Sequence, residues 1–224
     1  MSKYLYRKKS KFEVIAEYAE ASGKTFDFEK AKWGSPESML NRFRLAVDLI
    51  DWLHVKSWLD IGCGNGLFFS TVEKAGYRFK ELAGVDITPE IIEQARVRTY
   101  ASSVHFYEAD LEAMPTSLSN FGLVTLIGTL QQCGTTPECA LAACIERLGP
   151  EGQLFLTTKN LGWGKFRDGS LLPESHHSWF DYDELRSMVE NLGIEISRVG
   201  GFLPREGKKV PIEESHTLFI LGRK

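Results

Sequence analysis

A glycine-rich turn between residues 58 and 68 contains the residues whose types and spacing best indicate chemistry. It reads WLDIGCGNGLF, so that an apolar strand pattern runs directly into Gly62, Gly64 and Gly66. Glycine accepts positive φ and has no Cβ, which lets the backbone approach a bound ligand closely. Asp86 ends the next apolar run, 20 residues after Gly66, and a carboxylate at such a position can accept both hydroxyls of a ribose. Together these residues predict a pocket for a cofactor that contains adenosine.

The spacing of the glycines separates two classes of adenosine cofactor. Dinucleotide-binding proteins use G-x-G-x-x-G, whose third glycine allows close packing beside a pyrophosphate. Here the pattern is G-x-G-x-G, and Leu67 follows it. Asp60 lies in the same motif, and its carboxylate would repel a pyrophosphate but attract an ammonium or a sulfonium. The pattern therefore favours S-adenosylmethionine, which carries both of these cations and no phosphate.

On these residues the sequence resembles the class I S-adenosylmethionine-dependent methyltransferases, and the resemblance continues from about Trp33 to the end of the chain. In that family the glycine turn packs under the methionine part of the cofactor, and an acidic residue of the motif reaches its amino group, often through water. The resemblance implies that Asp60, Gly62, Cys63 and Gly64 bind S-adenosylmethionine. The alternative is a strand-to-helix turn of the kind that any α/β protein contains.

Two further loops carry residues that the resemblance places around the adenosine. Asp86 matches the acceptor of the ribose hydroxyls, and Ile87 beside it is expected to cover the adenine face. Asp110 matches the acceptor for the exocyclic amine of adenine, and the backbone N–H of Leu111 is expected to reach the ring. The alternatives are a charge at a helix N-terminus for Asp86, core packing for Ile87 and a plain loop carboxylate for Asp110.

The methionine end of the cofactor is expected to lie near three residues from other parts of the chain. Gly128 follows the fourth strand, where cofactor and acceptor should meet. Trp33 and Arg42 resemble a W-G-S…R-F element of some small-molecule methyltransferases, in which the arginine would pair with the cofactor carboxylate; a surface arginine is the equal alternative. Gln131 and Gln132 occupy a stretch in which family members often have an acid or a histidine. Neutral amides orient a substrate but are not strong bases.

Two adjacent histidines are the candidates for a catalytic general base. A base helps when the methyl acceptor must lose a proton, and the pKa of histidine suits this task. His176 and His177 fall between the fifth strand and the last helix, at the rim where the acceptor is expected. The alternative is that they cap a segment that packs Trp179 and Phe180. The remaining histidines are expected to be structural, namely His54, His105 and His216. No metal site is expected.

Two groups of aromatic residues are candidates for contact with the acceptor. The first, expected to form an apolar wall, comprises Trp163, Phe166, Trp179 and Phe180. The second, expected to form a lid from the N-terminal segment, comprises Tyr4, Tyr6, Phe12 and Tyr18. Ordinary core or surface packing is the alternative for both groups, because single aromatic residues are common at protein surfaces.

Alternating strand and helix patterns predict an α/β fold. The resemblance implies a three-layer Rossmann-like sandwich with a seven-stranded, mostly parallel sheet that ends in an antiparallel C-terminal pair. The expected strands are Ser57–Ile61, Leu82–Asp86, Val104–Ala109, Gly122–Ile127, Gln153–Thr158, Ile194–Val199 and Thr217–Leu221. The expected helices are Lys11–Ala21, one from Ser35, Leu67–Ala75, one from Thr88, Pro137–Leu148 and one from Asp181 through Leu192, with a loop over 23–33 and a turn over 149–152. Residues 1–34 are interpreted as a helical segment and candidate lid, and residues 35–224 as the S-adenosylmethionine-binding methyltransferase domain.

Composition and charge limit the kinds of molecule that the protein is expected to bind. The chain has 224 residues and a net charge of −3, so no overall positive field favours nucleic acid. A basic N-terminal cluster that includes Lys9 and Lys11 is interpreted as a solvated terminus. No apolar run approaches the length of a membrane span, no secretion segment is recognised, and the four cysteines show no C-x-x-C spacing. We therefore expect a cytoplasmic protein, monomeric or homodimeric, without a nucleic-acid or membrane partner.

The expected activity is in-line methyl transfer from S-adenosylmethionine to a small-molecule acceptor, at oxygen or nitrogen. The loop after the fourth strand has no [DN]-P-P-[YF], the signature of amine methylation on bases, and no Pro-Cys pair. One alternative is a protein that binds S-adenosylmethionine without transferring methyl, either as a regulator or for another reaction on the same cofactor. An NAD-dependent dehydrogenase is a more distant alternative.

Overall fold

Among the residues that the structure describes, the sheet has eight strands in the order β3-β2-β1-β4-β5-β8-β6-β7. The computed structural model describes residues 9–174 and 176–224. The strands are β1 (Ser57–Ile61), β2 (Glu81–Asp86), β3 (Val104–Glu108), β4 (Phe121–Ile127), β5 (Leu148–Lys159), β6 (Glu195–Leu203), β7 (Lys208–Val210) and β8 (Thr217–Arg223). The five strands β1 to β5 pair in parallel, and β8 pairs antiparallel with both β5 and β6.

Helices connect the parallel strands and precede the sheet. They are α1 (Lys11–Ser22), α2 (Asp27–Lys30), α3 (Pro36–Leu49), α4 (Leu67–Lys74), α5 (Pro89–Val97), α6 (Pro137–Ile145), α7 (Gly164–Arg167) and α8 (Tyr182–Asn191). Their starts follow local capping chemistry. The Ser35 hydroxyl accepts from the backbone N–H of Ser38 at the start of α3, where Pro36 occupies the first turn. Asp181 accepts from two backbone N–H groups at the start of α8, which satisfies donors that a helix leaves unpaired.

The core is divided between the two faces of the sheet. One face packs under α6 and α8 and includes Leu59, Val124 and Leu156. The other packs under α3, α4 and α5 and includes Trp58 and Phe155. Neighbouring residues of each strand alternate between the two clusters, as the period-2 geometry of a strand requires. The predicted three-layer arrangement, with a mostly parallel sheet and antiparallel C-terminal strands, is confirmed.

Several boundaries differ from the sequence prediction. The short strand β7 makes eight strands rather than seven, and it pairs with β6 as a hairpin. α6 ends at Ile145 rather than Leu148, because Leu148 already pairs with Phe121. The predicted turn over 149–152 lies inside β5 as an irregularity, in which Glu151 has a φ of 59°. The predicted loop over 23–33 contains the single-turn helix α2.

Within residues 9–174 and 176–224, no helix combines the length and apolar character needed to cross a membrane.

Candidate cofactor and acceptor site

A cavity of about 1080 Å³ opens at the carboxyl ends of the parallel strands. The loops after β1, β2, β3 and β4 line one half of it, and the segment between β5 and α8 lines the other half. Open parallel sheets bind their ligands in a crevice at the carboxyl ends of the strands. The sheet order reverses between β1 and β4, so the cavity lies at the switch point of the topology.

The glycine turn after β1 has the backbone geometry that its sequence predicts. Gly62, Gly64 and Gly66 all have positive φ, between 54° and 75°. A Cβ at Gly62 would lie 2.2 Å from Oγ1 of Thr129, whereas a Cβ at Gly64 would meet nothing within 4 Å. Gly62 is therefore required for packing against the β4 loop, and the backbone at Gly64 is open for close approach by a ligand. Cys63, between them, is buried.

Asp86, at the end of β2, is directed at the same turn. Its Oδ2 accepts from the backbone N–H of Gly64 at 3.0 Å, and its Oδ1 accepts from that of Thr88 at 3.0 Å. Burial raises the pKa of this carboxyl, and the two backbone donors oppose that effect. The carboxylate is thus held at the mouth of the glycine turn with lone pairs that can accept further donors.

Asp60, in β1, lies deeper, with 3% of its surface exposed. Thr125 donates to its Oδ1 at 2.5 Å, and the indole of Trp58 donates in turn to Thr125 at 2.8 Å. Burial raises the pKa of Asp60 to about 7, and the nearby Asp86 charge adds to the rise. A cation brought to this carboxyl would favour its ionised form, because opposite charges attract strongly at low dielectric.

Two of the three predicted adenine-side residues lie in the loop after β3, and helix α1 approaches them. Asp110 accepts from the backbone N–H of Glu112 at 3.1 Å and forms an ion pair with Lys11 of α1 at 2.5 Å. Leu111 and Ile87 line the cavity beside it. The structure therefore brings the three predicted adenine residues together, and it adds an ion pair from the N-terminal helix.

Trp33 and Arg42 form the wall near Gly128. The Arg42 guanidinium lies 4.6 Å from the ring centroid of Trp33, and a Cβ on Gly128 would approach that ring to 2.6 Å. Arg42 has 6% of its surface exposed, so the alternative of a surface arginine is wrong. Its described hydrogen-bond partners are the carbonyl and hydroxyl oxygens of Ser38 and the hydroxyl of Thr217, all uncharged. Burial lowers its pKa to about 9, and a carboxylate ligand would oppose that effect.

The half of the cavity beyond Arg42 has aromatic walls. Trp163, Phe166 and Trp179 line it, and the ring of His216 lies between the two indoles at 5.2 and 5.5 Å. Phe180, expected in the same wall, is fully buried in the core below it instead. Burial and nearby cations lower the pKa of His216 to about 3, so its imidazole is neutral. The sequence interpretation assigned His216 a purely structural place, but it lies in the cavity wall.

The two candidate bases lie at the same end, with different surroundings. His177 Nδ1 is 2.6 Å from a carboxylate oxygen of Glu174, which also forms an ion pair with Lys159. Burial lowers the pKa of both histidines. Ligand atoms of Glu174, His176 and His177 lie within 4.8 Å of one another, the spacing of a metal site. Because the Lys159 ammonium already neutralises this carboxylate, we assign the group to a hydrogen-bonded network.

The N-terminal helix covers part of the cavity. Tyr18 lines it and accepts a hydrogen bond from Gln132 at 2.8 Å, whereas Phe12 is 80% exposed and does not contact it. Tyr4 and Tyr6 lie outside the described residues. The basic residues Lys9 and Lys11 form ion pairs with Glu17 and Asp110, so they are not a free basic arm. His54 and His105, expected to be structural, are exposed and away from the cavity.

Sequence reasoning missed four polar residues that the fold brings to the site. Thr125 and Thr129 hold Asp60 and the glycine turn, and Lys159 and Glu174 flank His177. Three of them have ordinary strand or loop patterns. Glu174 had a signal, because an acid three residues before a histidine can reach its ring in a turn.

Comparison with known proteins was consistent with this geometry. A family model described as a methyltransferase domain matches residues 59–156. A ubiquinone biosynthesis O-methyltransferase of Xanthomonas axonopodis pv. citri (strain 306) is 27% identical over 159 residues, 65% of this chain and 65% of that protein. A protein of the same name from Azoarcus sp. (strain BH72) is 27% identical over 191 residues, 76% of this chain and 80% of that protein. The match to the first relative thus spans just under two thirds of its length.

A solved structure shares the fold. The N-methyltransferase NodS from Bradyrhizobium japonicum WM9, in complex with S-adenosyl-L-homocysteine, matches with a TM-score of 0.65 at 16% identity, over 94% of this chain and 97% of that one. The matched methyltransferase domain runs from β1 into β5 and so includes the glycine turn, Asp86 and the loops after β3 and β4. Residues 59–156 therefore form a methyltransferase domain, and the chain has the fold of S-adenosylmethionine-dependent methyltransferases.

Proposed function

We propose that the protein transfers the methyl group of S-adenosylmethionine to an oxygen of a small aromatic acceptor, with His177 as the general base. One observation carries the proposal. A single cavity connects the glycine turn and Asp86 to an aromatic chamber, formed by Trp163, Phe166 and Trp179, at whose rim His177 lies. A donor and an acceptor can therefore occupy the same cavity side by side.

The cofactor half fits S-adenosylmethionine residue by residue. Asp86 would accept the ribose hydroxyls, Asp60 would attract the ammonium, and Arg42 would pair with the carboxylate, which would supply the charged partner that its buried guanidinium lacks among the described contacts. Asp110 and the backbone of Leu111 would bind the adenine, with Ile87 against its face. When bound, the cofactor supplies an electrophilic methyl group on a sulfonium. The chain's contribution is to hold that methyl in line with the acceptor oxygen.

The acceptor half favours a flat apolar molecule. Three aromatic side chains and the neutral imidazole of His216 pack edge to face against one another, at centroid distances of 4.8 to 5.5 Å, and so form a continuous aromatic wall. Relatives named as O-methyltransferases of ubiquinone biosynthesis support oxygen as the acceptor atom, and the aromatic wall favours a hydroxyl carried by an aromatic ring. A hydroxyl must lose its proton as the methyl is transferred, which gives the nearby base its role.

His177 is better placed for that role than His176. Its side chain is 16% exposed, and its Nδ1 is engaged by Glu174, which leaves Nε2 to accept a proton. Burial has the largest effect on the pKa of His177 and lowers it. The hydrogen bond with Glu174 raises this pKa, and the charge of Lys159 lowers it. The imidazole is therefore neutral at neutral pH, as a general base must be.

The test is to incubate the protein with S-adenosylmethionine and a panel of phenols that begins with catechol, and to measure both products. We expect S-adenosylhomocysteine to appear in step with the methyl ether. His177→Ala should reduce kcat by about 100-fold or more at unchanged cofactor affinity, whereas the exposed His54→Ala should not. Cofactor turnover without methylated acceptor, or full activity of His177→Ala, would contradict the proposal. The first outcome would indicate another reaction on the same cofactor.

The cytoplasmic location, the absence of nucleic-acid and membrane partners and the monomeric or homodimeric state remain predictions from the sequence. Size-exclusion chromatography with light scattering measures the last of these directly.

A further inference from the structure

The geometry points to Glu174 and Lys159 as positioning residues for His177, so that the base operates as a Lys159–Glu174–His177 array. This inference rests on the proposed role of His177. The contacts are direct: one oxygen of Glu174, Oε2, lies 2.6 Å from His177 Nδ1 and also forms the ion pair with Lys159 Nζ. The carboxylate thus connects the loop histidine to a cation that belongs to the sheet.

The backbone of Lys159 is fixed by the sheet. It is the last residue of β5, pairs with Thr217 of β8 and has a side chain only 9% exposed. Its ammonium lies 4.6 Å from the ring centroid of Trp179, a favourable cation–π position. The charge that holds Glu174 is therefore attached to the rigid sheet, at the edge of the cavity where the parallel strands end.

The loop that carries Glu174 is also fastened at several points. The indole of Trp179 donates to the carbonyl of Glu174 at 3.1 Å, and the backbone N–H of Ser178 donates to the carbonyl of Gln131 at 2.9 Å. The hydrogen bond from Ser178 joins the segment that contains His176 and His177 to the loop after β4, which lines the cofactor half of the cavity. His177 is thereby fixed relative to both halves of the cavity.

The array specifies how His177 handles a proton. With the carboxylate against Nδ1, the proton of the neutral ring resides on Nδ1 and is donated to Glu174, so Nε2 carries the free lone pair. In the proposed reaction the acceptor O–H bond breaks and its proton moves to Nε2. The oxygen forms its bond to the methyl carbon as the carbon–sulfur bond breaks, leaving a neutral thioether. The imidazolium formed is stabilised by Glu174 and then releases its proton to solvent.

The charges around His177 determine what each substitution does. Besides Glu174 and Lys159, the ring faces His176 at a centroid distance of 4.2 Å and the charge of Lys9 before α1. The two cations lower the pKa of His177, and Glu174 raises it. Removal of the negative charge should therefore lower this pKa, and removal of the Lys159 charge should raise it. A residue that only shaped the loop would change neither in a defined direction.

The experiment measures the ring of His177 directly by ¹⁵N NMR across a pH titration, with His176→Gln used to assign the signals. In the wild type we expect the Nδ1-protonated tautomer. Glu174→Gln should reduce the population of that tautomer and lower the pKa by roughly one unit, whereas Lys159→Gln should raise the pKa. Glu190→Gln, which removes the acid of a surface ion pair with Arg186, is the matched control and should change neither quantity.

Kinetics then separates this inference from the proposed function. With catechol or another phenol found to be methylated, Glu174→Gln should lower kcat at least tenfold, shift the acidic limb of its pH profile to lower pH, and leave the affinity for S-adenosylhomocysteine unchanged. If Glu174→Gln keeps the wild-type tautomer, pKa and kcat while His177→Ala is inactive, the positioning role is wrong and the proposed function stands. If His177→Ala is fully active, the base assignment itself fails. Stoichiometric binding of Zn²⁺ that requires Glu174 and both histidines would also overturn the array.

Discussion

Two acids of neighbouring strands, Asp86 and Asp60, have different surroundings, and this difference assigns them different tasks. Asp86 accepts from two backbone N–H groups at the cavity mouth, a setting that orients a carboxylate toward neutral donors such as hydroxyls. Asp60 has one threonine donor and almost no exposure. It therefore favours a cation to stabilise its ionised form, and the ammonium of the cofactor is the group that supplies one.

The raised pKa of Asp60 predicts a specific pH dependence of stability. Its folded value of about 7 lies above the ordinary value of 3.8. Between these two pH values, Asp60 therefore keeps its proton in the folded protein and has lost it in the unfolded chain. The free energy of unfolding should therefore fall as the pH rises from about 4 to about 7, and then stay level. Asp60→Asn should remove this part of the dependence. Urea denaturation of both proteins across that range measures the difference.

The Asp60 carboxyl also predicts that the affinity for the cofactor rises with pH, whereas the free energy of unfolding falls. A bound ammonium favours the Asp60 carboxylate, so the affinity of the wild type for S-adenosylmethionine should increase as the pH rises from about 6 to about 8. Asp60→Asn should bind more weakly and show little of this increase. Equal pH dependence in the two proteins by calorimetry would show that Asp60 does not meet the cofactor cation.

At the scale of elements, helix α1 is attached to the loops after β3 and β4 and to helix α5. Lys11 pairs with Asp110, Tyr18 accepts from Gln132, and the carbonyl of Ser22 accepts from Gln94 on α5. Only one residue of the helix is buried, Ala21. A helix with one buried residue and with polar contacts to ligand-binding loops has the features of a lid.

Removal of residues 1–23 therefore tests the lid at little expected cost to the fold. We expect the dissociation constant of S-adenosylhomocysteine to rise about tenfold, which is about 1.4 kcal/mol, and turnover to fall. Circular dichroism establishes that the truncated protein is folded. Tyr18→Phe, which removes one hydroxyl and keeps the ring, should give a smaller change in the same direction. Unchanged affinity and unchanged turnover after truncation would contradict the lid.

The elements that sequence could predict are those whose signals are local. The strands β1, β2 and β4 are short apolar runs that end at glycine or acid, and α3 begins with Ser35 and Pro36, a cap and first-turn pair. β7 was missed because its three residues include two lysines and its pairing with β6 is set by a hairpin. The start of β5 was missed because glycines and Pro150 indicate a turn, whereas pairing with β4 extends the strand through them.

The residues of the candidate site also divide into those whose positions the sequence predicts and those whose positions it does not. The cofactor residues follow consecutive strands, so their convergence follows from parallel topology. The surroundings of His177 depend on Lys159, at the end of β5, and on Glu174, in a loop. No local sequence pattern specifies that these two side chains come into contact. Phe180 and Trp179 are adjacent in sequence, but one enters the core and the other the cavity wall. The direction of such side chains is decided by the fold of the loop.

For the whole molecule, the position of the cavity couples ligand binding to global stability. It lies at the switch point between β1 and β4, and four strand loops as well as α1 contribute to its walls. A ligand there would contact elements that pack on both faces of the sheet. Since the unfolded chain has no such cavity, binding should stabilise the entire domain by mass action.

This coupling predicts a thermal shift that depends on Asp86. At a concentration 100 times its Kd, S-adenosylhomocysteine should add about 2.7 kcal/mol to the free energy of unfolding, which raises the Tm by about 5–10 °C for a chain of this size. Loss of the ribose hydrogen bonds in Asp86→Ala should cost about 2 kcal/mol of binding. The same ligand concentration should then stabilise that variant by less than about 1 kcal/mol. Asp48→Ala, an exposed acid on α3, should keep the full shift in differential scanning fluorimetry. Equal shifts in both variants would place the ribose elsewhere, whereas no shift in the wild type would remove the cofactor from this cavity.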